Sequence, residues 1–242
     1  MYSIPPIAAA IGFAAILLTT LTGVLTPVFG AAAAGAAVIC LTILVRLLVL
    51  PLGYLQVRAE KTRERLAPKV RALQARHGSD PERLSTEMMR LYTEEKTSPL
   101  AGCLPMLAQT PVFIVLYGLF IVPEVGGRPN ELLARTFGGV PLGALPGEVL
   151  AAGGSGLWVF GVVALVIAAG AWASRQWLTL PAMRRAEQSG QEQLPGMSVM
   201  TYLPFITVVV TMFVPLAAGL YLAATTVWTV AERLVLRRLV RV

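Results

Sequence analysis

Apolar residues run along this chain in long blocks, without the strict alternation of strands or the one-sided spacing of ordinary surface helices. A helix needs roughly 20 consecutive apolar residues to cross the hydrocarbon core of a bilayer. Residues 31–52 meet this with a single charge, Arg46, and residues 100–122 and 157–174 meet it with none. The block 197–231 is too long for one crossing. Pro215 divides it into two short spans, about 199–213 and 216–232, joined by a tight turn. The N-terminal stretch 4–25 is also apolar and is compatible with spanning the membrane or lying on its surface.

Between these blocks the polar segments have their own pattern. In 53–99, Leu66, Val70 and Leu73 fall at helical spacing, and Gly78 is placed to end the helix. Ser79-Asp80-Pro81-Glu82 then supplies an N-cap and an early-turn proline for a second helix, whose apolar face is Leu84, Met88 and Leu91. The pairs Arg83–Glu87 and Arg90–Glu94 sit four residues apart and support it. The prediction is a helical hairpin.

Composition agrees with burial in lipid. Of 242 residues 56% are hydrophobic and 14% charged, with a mean hydropathy of +0.70. Soluble domains carry about 25% charged residues, so too few polar side chains remain here to cover a globular surface. The net charge of +7 is unevenly spread. Ten Lys and Arg lie in 53–99, three in 175–185 and four in 233–241, whereas the Pro/Gly-rich segment 123–156 holds only Arg128 and Arg135. The positive-inside rule makes the first three segments cytoplasmic and the last extracytoplasmic. Five spans satisfy every loop. A sixth, at 4–25, would leave Met1 inside with no positive charge to hold it, so an extracytoplasmic surface helix is preferred. Met1–Gly30 contains no Lys or Arg, and a cleaved signal peptide is therefore not expected.

Little in the chain suggests covalent chemistry. Cys40 and Cys103 lie in apolar segments and read as small core residues; His77 has no partner at ligand spacing. There is no phosphate-binding loop and no H-E-x-x-H. No cofactor and no metal are expected. Basic faces on the hairpin would suit anionic headgroups or ribosomal RNA, but no aromatic pattern supports specific nucleic-acid recognition.

Arg46 is the sharpest feature. It lies about eight residues inside the cytoplasmic end of its span near Tyr54, hence ~12 Å deep at 1.5 Å per residue. An Arg there costs on the order of 2.5–3.5 kcal/mol on insertion scales. With no Asp or Glu in the interior of another predicted span, a buried ion pair is not expected, and a hydrated groove is the remaining way to keep the charge. Thr42 and Gly53 share its face. Gln109 lies at a similar depth beside Pro105 and Pro111, either lining the same polar space or tying helices together. Trp158, Trp172 and Trp177 flank the third span as interfacial belts.

These residues resemble a known family. LTILVRLLVLPL at 41–52 looks like the first core span of the YidC, Oxa and Alb insertases. LAPKVRALQARHGSDPERLSTEMMRLY is similar to their cytoplasmic hairpin, and SPLAGCLPMLAQTPVFIVLY to their second core span. Tyr202-Leu203-Pro204, Pro215 and Leu220-Tyr221 match the last two spans. The resemblance implies an all-α membrane protein, five transmembrane helices around a hydrophilic groove, with a cytoplasmic helical hairpin. Its implied function is that of an insertase and chaperone that receives nascent membrane proteins and releases their helices into the lipid bilayer, without covalent chemistry. The groove residues would be Arg46, Thr42, Gln109 and Tyr221. The slide along which a client helix leaves would be Pro105, Phe113, Tyr117, Tyr202 and Pro204, and Pro68, Asp80, Met88 and Tyr92 belong to the hairpin. Partners would be nascent membrane proteins and lipid, with the ribosome and the Sec translocon allowed; the place would be a bacterial cell membrane, with the C-terminus cytoplasmic. The chain departs from the pattern at Ser98, Leu222, Thr225-Thr226 and Glu232, where the family has Asn, an aromatic, Ser-Asn and Gln. A long basic ribosome-binding tail is not expected. A non-translocating assembly chaperone and a small-solute transporter are the alternative functions.

The expected boundaries are a surface helix in 1–30, spans at 31–55, 99–122, 157–178, 198–213 and 215–232, the hairpin in 56–98, an outer loop at 123–156, a cytoplasmic loop at 179–197 and a basic tail at 233–242. The narrow apolar stripes of the hairpin predict a mobile arm held only loosely to the bundle.

Overall fold

A computed structural model describes residues 5–95, 110, 114, 115, 117–120, 124, 125, 128–188 and 199–240. Most of the second predicted span, with Ser98, Cys103, Pro105, Gln109 and Phe113, lies outside the described residues.

Helix α1, Pro5–Phe29, is followed by a 3-10 turn at Gly30–Ala32 and by α2, Ala33–Leu48. Gly30 makes the turn with φ +52°, a conformation that costs glycine little. α1 packs beside α2: Ile11, Ala14 and Leu18, spaced three and four apart, join the buried cluster that holds Ala34, Ala37, Val38 and Leu41. Small residues on α2 let the two backbones approach.

The expected single helix over 31–55 is interrupted. Pro51 has no N–H to give the carbonyl of Leu47, and its ring crowds that turn, so α2 ends at Leu48. Val49 forms the joint with φ −91° and ψ 2°, and α3 runs from Leu50 to His77. α3 ends at Gly78 as predicted, although Gly78 keeps a right-handed φ of −62°. The Asp80 side chain accepts a hydrogen bond from the Arg83 N–H at 3.1 Å and caps α4, Pro81–Glu94. Arg90 pairs with Glu94 at 2.9 Å, as the spacing predicts. Arg83 pairs with Asp80 at 3.4 Å, not with Glu87, because the capping carboxylate already stands one turn below it.

The loop that follows is ordered by short backbone pairings. β1 (Glu124–Val125) pairs with β2 (Arg128–Pro129), and β3 (Thr136–Phe137) with β4 (Val140–Pro141), both antiparallel. Gly138 and Gly139, with φ +61° and +83°, make the two-residue turn between β3 and β4. The buried Asn130 amide donates to the Leu119 carbonyl at 2.7 Å. A short helix, α5 (Pro146–Ala151), leads into α6, Leu157–Ser174.

α6 is apolar all round. Val159, Phe160, Val163 and Ile167 are buried, while Trp158, Val162, Leu165 and Trp172 on other faces stay exposed. A π turn, Arg175–Thr179, joins it to α7, Leu180–Gln188. Pro181 explains the widening, since it cannot donate to the Trp177 carbonyl and pushes against it.

A 3-10 lead-in at Val199–Tyr202 enters α8, Leu203–Val210, and a turn at Thr211–Val214 precedes α9, Leu216–Leu239. α9 is thus longer than the span expected at 215–232 and carries on helically through most of the basic tail. Pro215 offers no side-chain cap to α9. The loop supplies it, because the N–H groups of Leu216 and Ala217 donate to the carbonyls of Ala144 and Leu142 at 3.1 and 2.9 Å. At the same end Phe137 lies so close to Gly35 that an added Cβ would stand 2.1 Å from its ring. The loop therefore closes one end of the bundle formed by α2, α6 and α9.

The exterior is apolar. Phe13, Ile16 and Val24 on α1, Leu48 on α2, Leu165 on α6 and Ile206, Val209 and Phe213 around α8 are all exposed. Water does not tolerate a surface of this extent on a folded chain. The stretches Pro5–Leu48 and Leu157–Arg185 are long and apolar enough to cross a membrane.

Candidate substrate groove

Arg46 stands in the last turn of α2, half-buried where α2 packs on α9. It interacts electrostatically with Tyr221 and Glu232, both on α9. This corrects the expectation that no acidic group faces it. Glu232 is the last residue of the span predicted at 215–232, where the sequence marks it only as a departure from the family pattern. Three contacts hold its carboxylate in place. Trp228, one turn earlier, donates its indole N–H to Oε2 at 2.7 Å. Oε1 rests on Gly53, where a Cβ would come within 1.8 Å of it. Arg46 supplies the long-range attraction. Gly53 is in the first turn of α3, so the kink at Val49 is what lets Arg46 and Gly53 address the same carboxylate.

The other predicted groove residues are not all alike. Tyr221 is buried in the main core beside Leu220 and Ala223. Thr42 is buried too, and its hydroxyl is donated to the Val38 carbonyl of its own helix at 2.7 Å, which leaves it no free proton for a client. Gln109 lies outside the described residues.

Of the predicted slide, Tyr117 is half-buried against the main core, and Pro105 and Phe113 are not described. Pro204 opens α8, and Tyr202 is exposed just before it. α8 packs on α6, whereas Arg46 faces α9. Arg175, which the sequence reading did not single out, holds Tyr202 from the end of α6. Its guanidinium sits 4.7 Å from the ring centroid and donates to the phenol oxygen at 3.3 Å and to the Thr201 hydroxyl at 3.4 Å.

In the hairpin, Asp80 caps α4, Pro68 is an exposed interior residue of α3, and Met88 and Tyr92 are half-buried. The distal part is held by ion pairs. Arg65 reaches Glu95 at 2.9 Å and Lys69 joins the same carboxylate. Those two cations hold the Glu95 carboxyl below the usual carboxylate range. The base is tied to the bundle more firmly than narrow stripes predict. Glu60 meets Arg233 at 3.3 Å and Arg237 at 3.4 Å, and Glu64 meets Arg185 at 3.2 Å. Lys61 donates to the carbonyls of Arg237 and Val240, satisfying the open end of α9. Val57 packs with Leu236 and Val240 in a separate small core.

An apolar helical exterior with a cationic side chain set against an acidic partner between helices defines an α-helical membrane protein. The model of the 60Kd inner membrane protein family matches residues 24–241, and the chain belongs to that family, the one that includes the YidC and Alb proteins. It is 30% identical over 219 residues to the inner membrane protein ALBINO3 of Arabidopsis thaliana chloroplasts, covering 85% of this chain and 46% of that protein. Over 87 residues it is 46% identical to the membrane protein insertase YidC of Haemophilus influenzae, covering 36% of this chain and 16% of that protein. It is 38% identical over 104 residues to the membrane protein insertase YidC of Streptomyces avermitilis, covering 41% of this chain and 24% of that protein. The chain spans about half the length of the chloroplast relatives that it matches.

Proposed function

We propose that this protein is a membrane protein insertase that takes a nascent client into a polar cleft beside Arg46 and releases its helix into lipid. The observation that carries this reading is the half-buried Arg46 placed between α2 and α9, with Glu232 as a counter-charge that is itself held by Trp228 and Gly53. A fully paired internal cation would be a structural tie. Here no hydrogen bond joins Arg46 to another described residue, so an incoming carboxylate can compete with Glu232 for it. The client's polar segment enters at Arg46, and its apolar helix then passes the exposed face of α8 at Tyr202, Leu203 and Ile206. Burying that helix in lipid supplies the driving force. No covalent step is needed.

The membrane placement follows from charge. The base of the hairpin, α7 and the end of α9 face the cytoplasm, and the 128–156 loop closes the outer end. Five spans result, at α2, the segment 99–122, α6, the short α8 with its lead-in, and α9. α1 is the outer surface helix. Support comes from its middle: Gly12, Ile16 and Thr19 share a cavity with Asn130 and Arg135 of the outer loop, which a helix centred at mid-membrane would not reach. Exposed Trp158 at one end of α6 and Trp172 and Trp177 at the other stand 14 to 19 residues apart, about 21–28 Å along a helix and close to the hydrocarbon thickness.

The test is site-specific photo-crosslinking of a ribosome-stalled single-span client. Probes at positions 46 and 206 should label the client, and a probe at Val159, buried in the main core, should not. Labelling that is uniform across all three positions would contradict a defined path.

A further inference from the structure

We propose that the cavity at the base of the hairpin is a binding site for a phosphate-bearing anion, supplied by an anionic phospholipid headgroup. The proposal rests on the membrane placement above and not on the insertion reading. The cavity encloses about 680 Å³ between α3, the π turn and α7, and the end of α9. Among the described residues, four arginines line it, Arg63, Arg185, Arg233 and Arg237, against two carboxylates, Glu60 and Glu64.

The ion pairs leave Arg185, Arg233 and Arg237 with donors to spare. Glu60 is shared between Arg233 and Arg237 at 3.3 and 3.4 Å, long contacts for one carboxylate serving two guanidinium groups. Arg237 Nη1 is buried with no hydrogen-bond partner, an expensive state for a charged donor, and a small rotation toward the cavity would relieve it on a phosphate oxygen. Arg185 holds Glu64 by side chains that are both about half exposed, a pair of little worth on its own.

Depth selects the source of the phosphate. Ser174, Leu178 and Ala182 form the wall toward α6 and α7, and exposed Trp172 and Trp177 lie on the same helical stretch. Tryptophans in that position mark headgroup level, so the cavity opens where lipid phosphates lie, with apolar wall beside it for the start of an acyl chain. A lipid there would brace the hairpin base against α9 without touching Arg46.

The full chain in nanodiscs or mild detergent, titrated with phosphatidylglycerol, phosphatidylcholine and inorganic phosphate in native mass spectrometry, tests this. Phosphatidylglycerol should bind at least about tenfold tighter than phosphatidylcholine, the scale of one charge-assisted hydrogen bond. Arg185→Gln with Arg233→Gln should remove that preference. Glu64→Gln, which deletes a competing carboxylate and no arginine, should strengthen it. Equal retention of the two lipids, or a weaker preference in Glu64→Gln, overturns the site. Displacement of phosphatidylglycerol by inorganic phosphate at equal concentration overturns the lipid as its source. Each reading is a binding measurement, so failure to insert clients leaves it standing.

Discussion

Gly53→Ala probes the contact that seats the Glu232 carboxylate near Arg46. The new methyl would stand 1.8 Å from Glu232 Oε1 and 3.0 Å from its Cδ, while Leu236 Cδ1 at 3.6 Å is an ordinary neighbour. The carboxylate must therefore move by more than an ångström. Moving it breaks the 2.7 Å hydrogen bond from Trp228 and carries the negative charge away from Arg46. Loss of a hydrogen bond to a charged group costs about 1.5–3 kcal/mol. Ala in place of Gly in a helix returns up to about 1 kcal/mol. The expected net loss is about 0.5–2 kcal/mol, small enough to leave the chain folded. Thermal unfolding in detergent, with Trp fluorescence as a second signal, measures it. The decisive comparison is a double-mutant cycle with Glu232→Ala, which has no carboxylate to displace. In that background Gly53→Ala should be neutral or stabilising. An equal cost with and without Glu232 would refute the contact.

Two further outcomes follow from the hairpin and the charge pattern. Because Lys69 and Arg65 depress the Glu95 carboxyl, the tie it makes is present above the unfolded carboxylate pKa and is lost as pH falls through the lower folded value. The protection factors of α4 amides, with the intrinsic pH dependence of exchange removed, should thus fall on acidification and should lose that dependence in Glu95→Gln, while residues 57–66 remain as protected as α9. A cysteine at Ala134 should react with an impermeant reagent from outside the cell and one at Arg76 should not; the reverse pattern would invert the topology.

Much of this architecture is legible in the pattern of apolar blocks. The α6 helix begins at Leu157, where the uninterrupted apolar run begins, and Asp80 caps α4 because a capping side chain is a local signal. Pro51 was equally visible, yet its effect depends on what surrounds the joint. Only packing of α9 against both sides of Val49 turns a proline kink into a site. Glu232 was missed for a related reason. A carboxylate at a span boundary reads as solvated unless a glycine seven residues beyond the arginine leaves it a seat on the neighbouring helix. The Trp228–Glu232 spacing of four was the available clue. The hairpin was read as loosely held from its stripes alone, whereas its base is fixed by Glu60, Lys61 and Glu64, whose partners lie more than a hundred residues away. Arg46 stood out because a charge in an apolar run has few explanations.

Insertion into proteoliposomes is the most direct test of the central claim. The purified chain, reconstituted alone, should protect the translocated segment of a short single-span client from external protease. Clients with acidic translocated segments should lose most of that protection in Arg46→Ala and keep most of it in Arg46→Lys, because the groove needs the charge. Glu232→Gln, which removes the competing carboxylate, should raise insertion of acidic clients relative to neutral ones. Protection no greater than in empty liposomes, or equal losses for acidic and neutral clients in Arg46→Ala, would contradict the account.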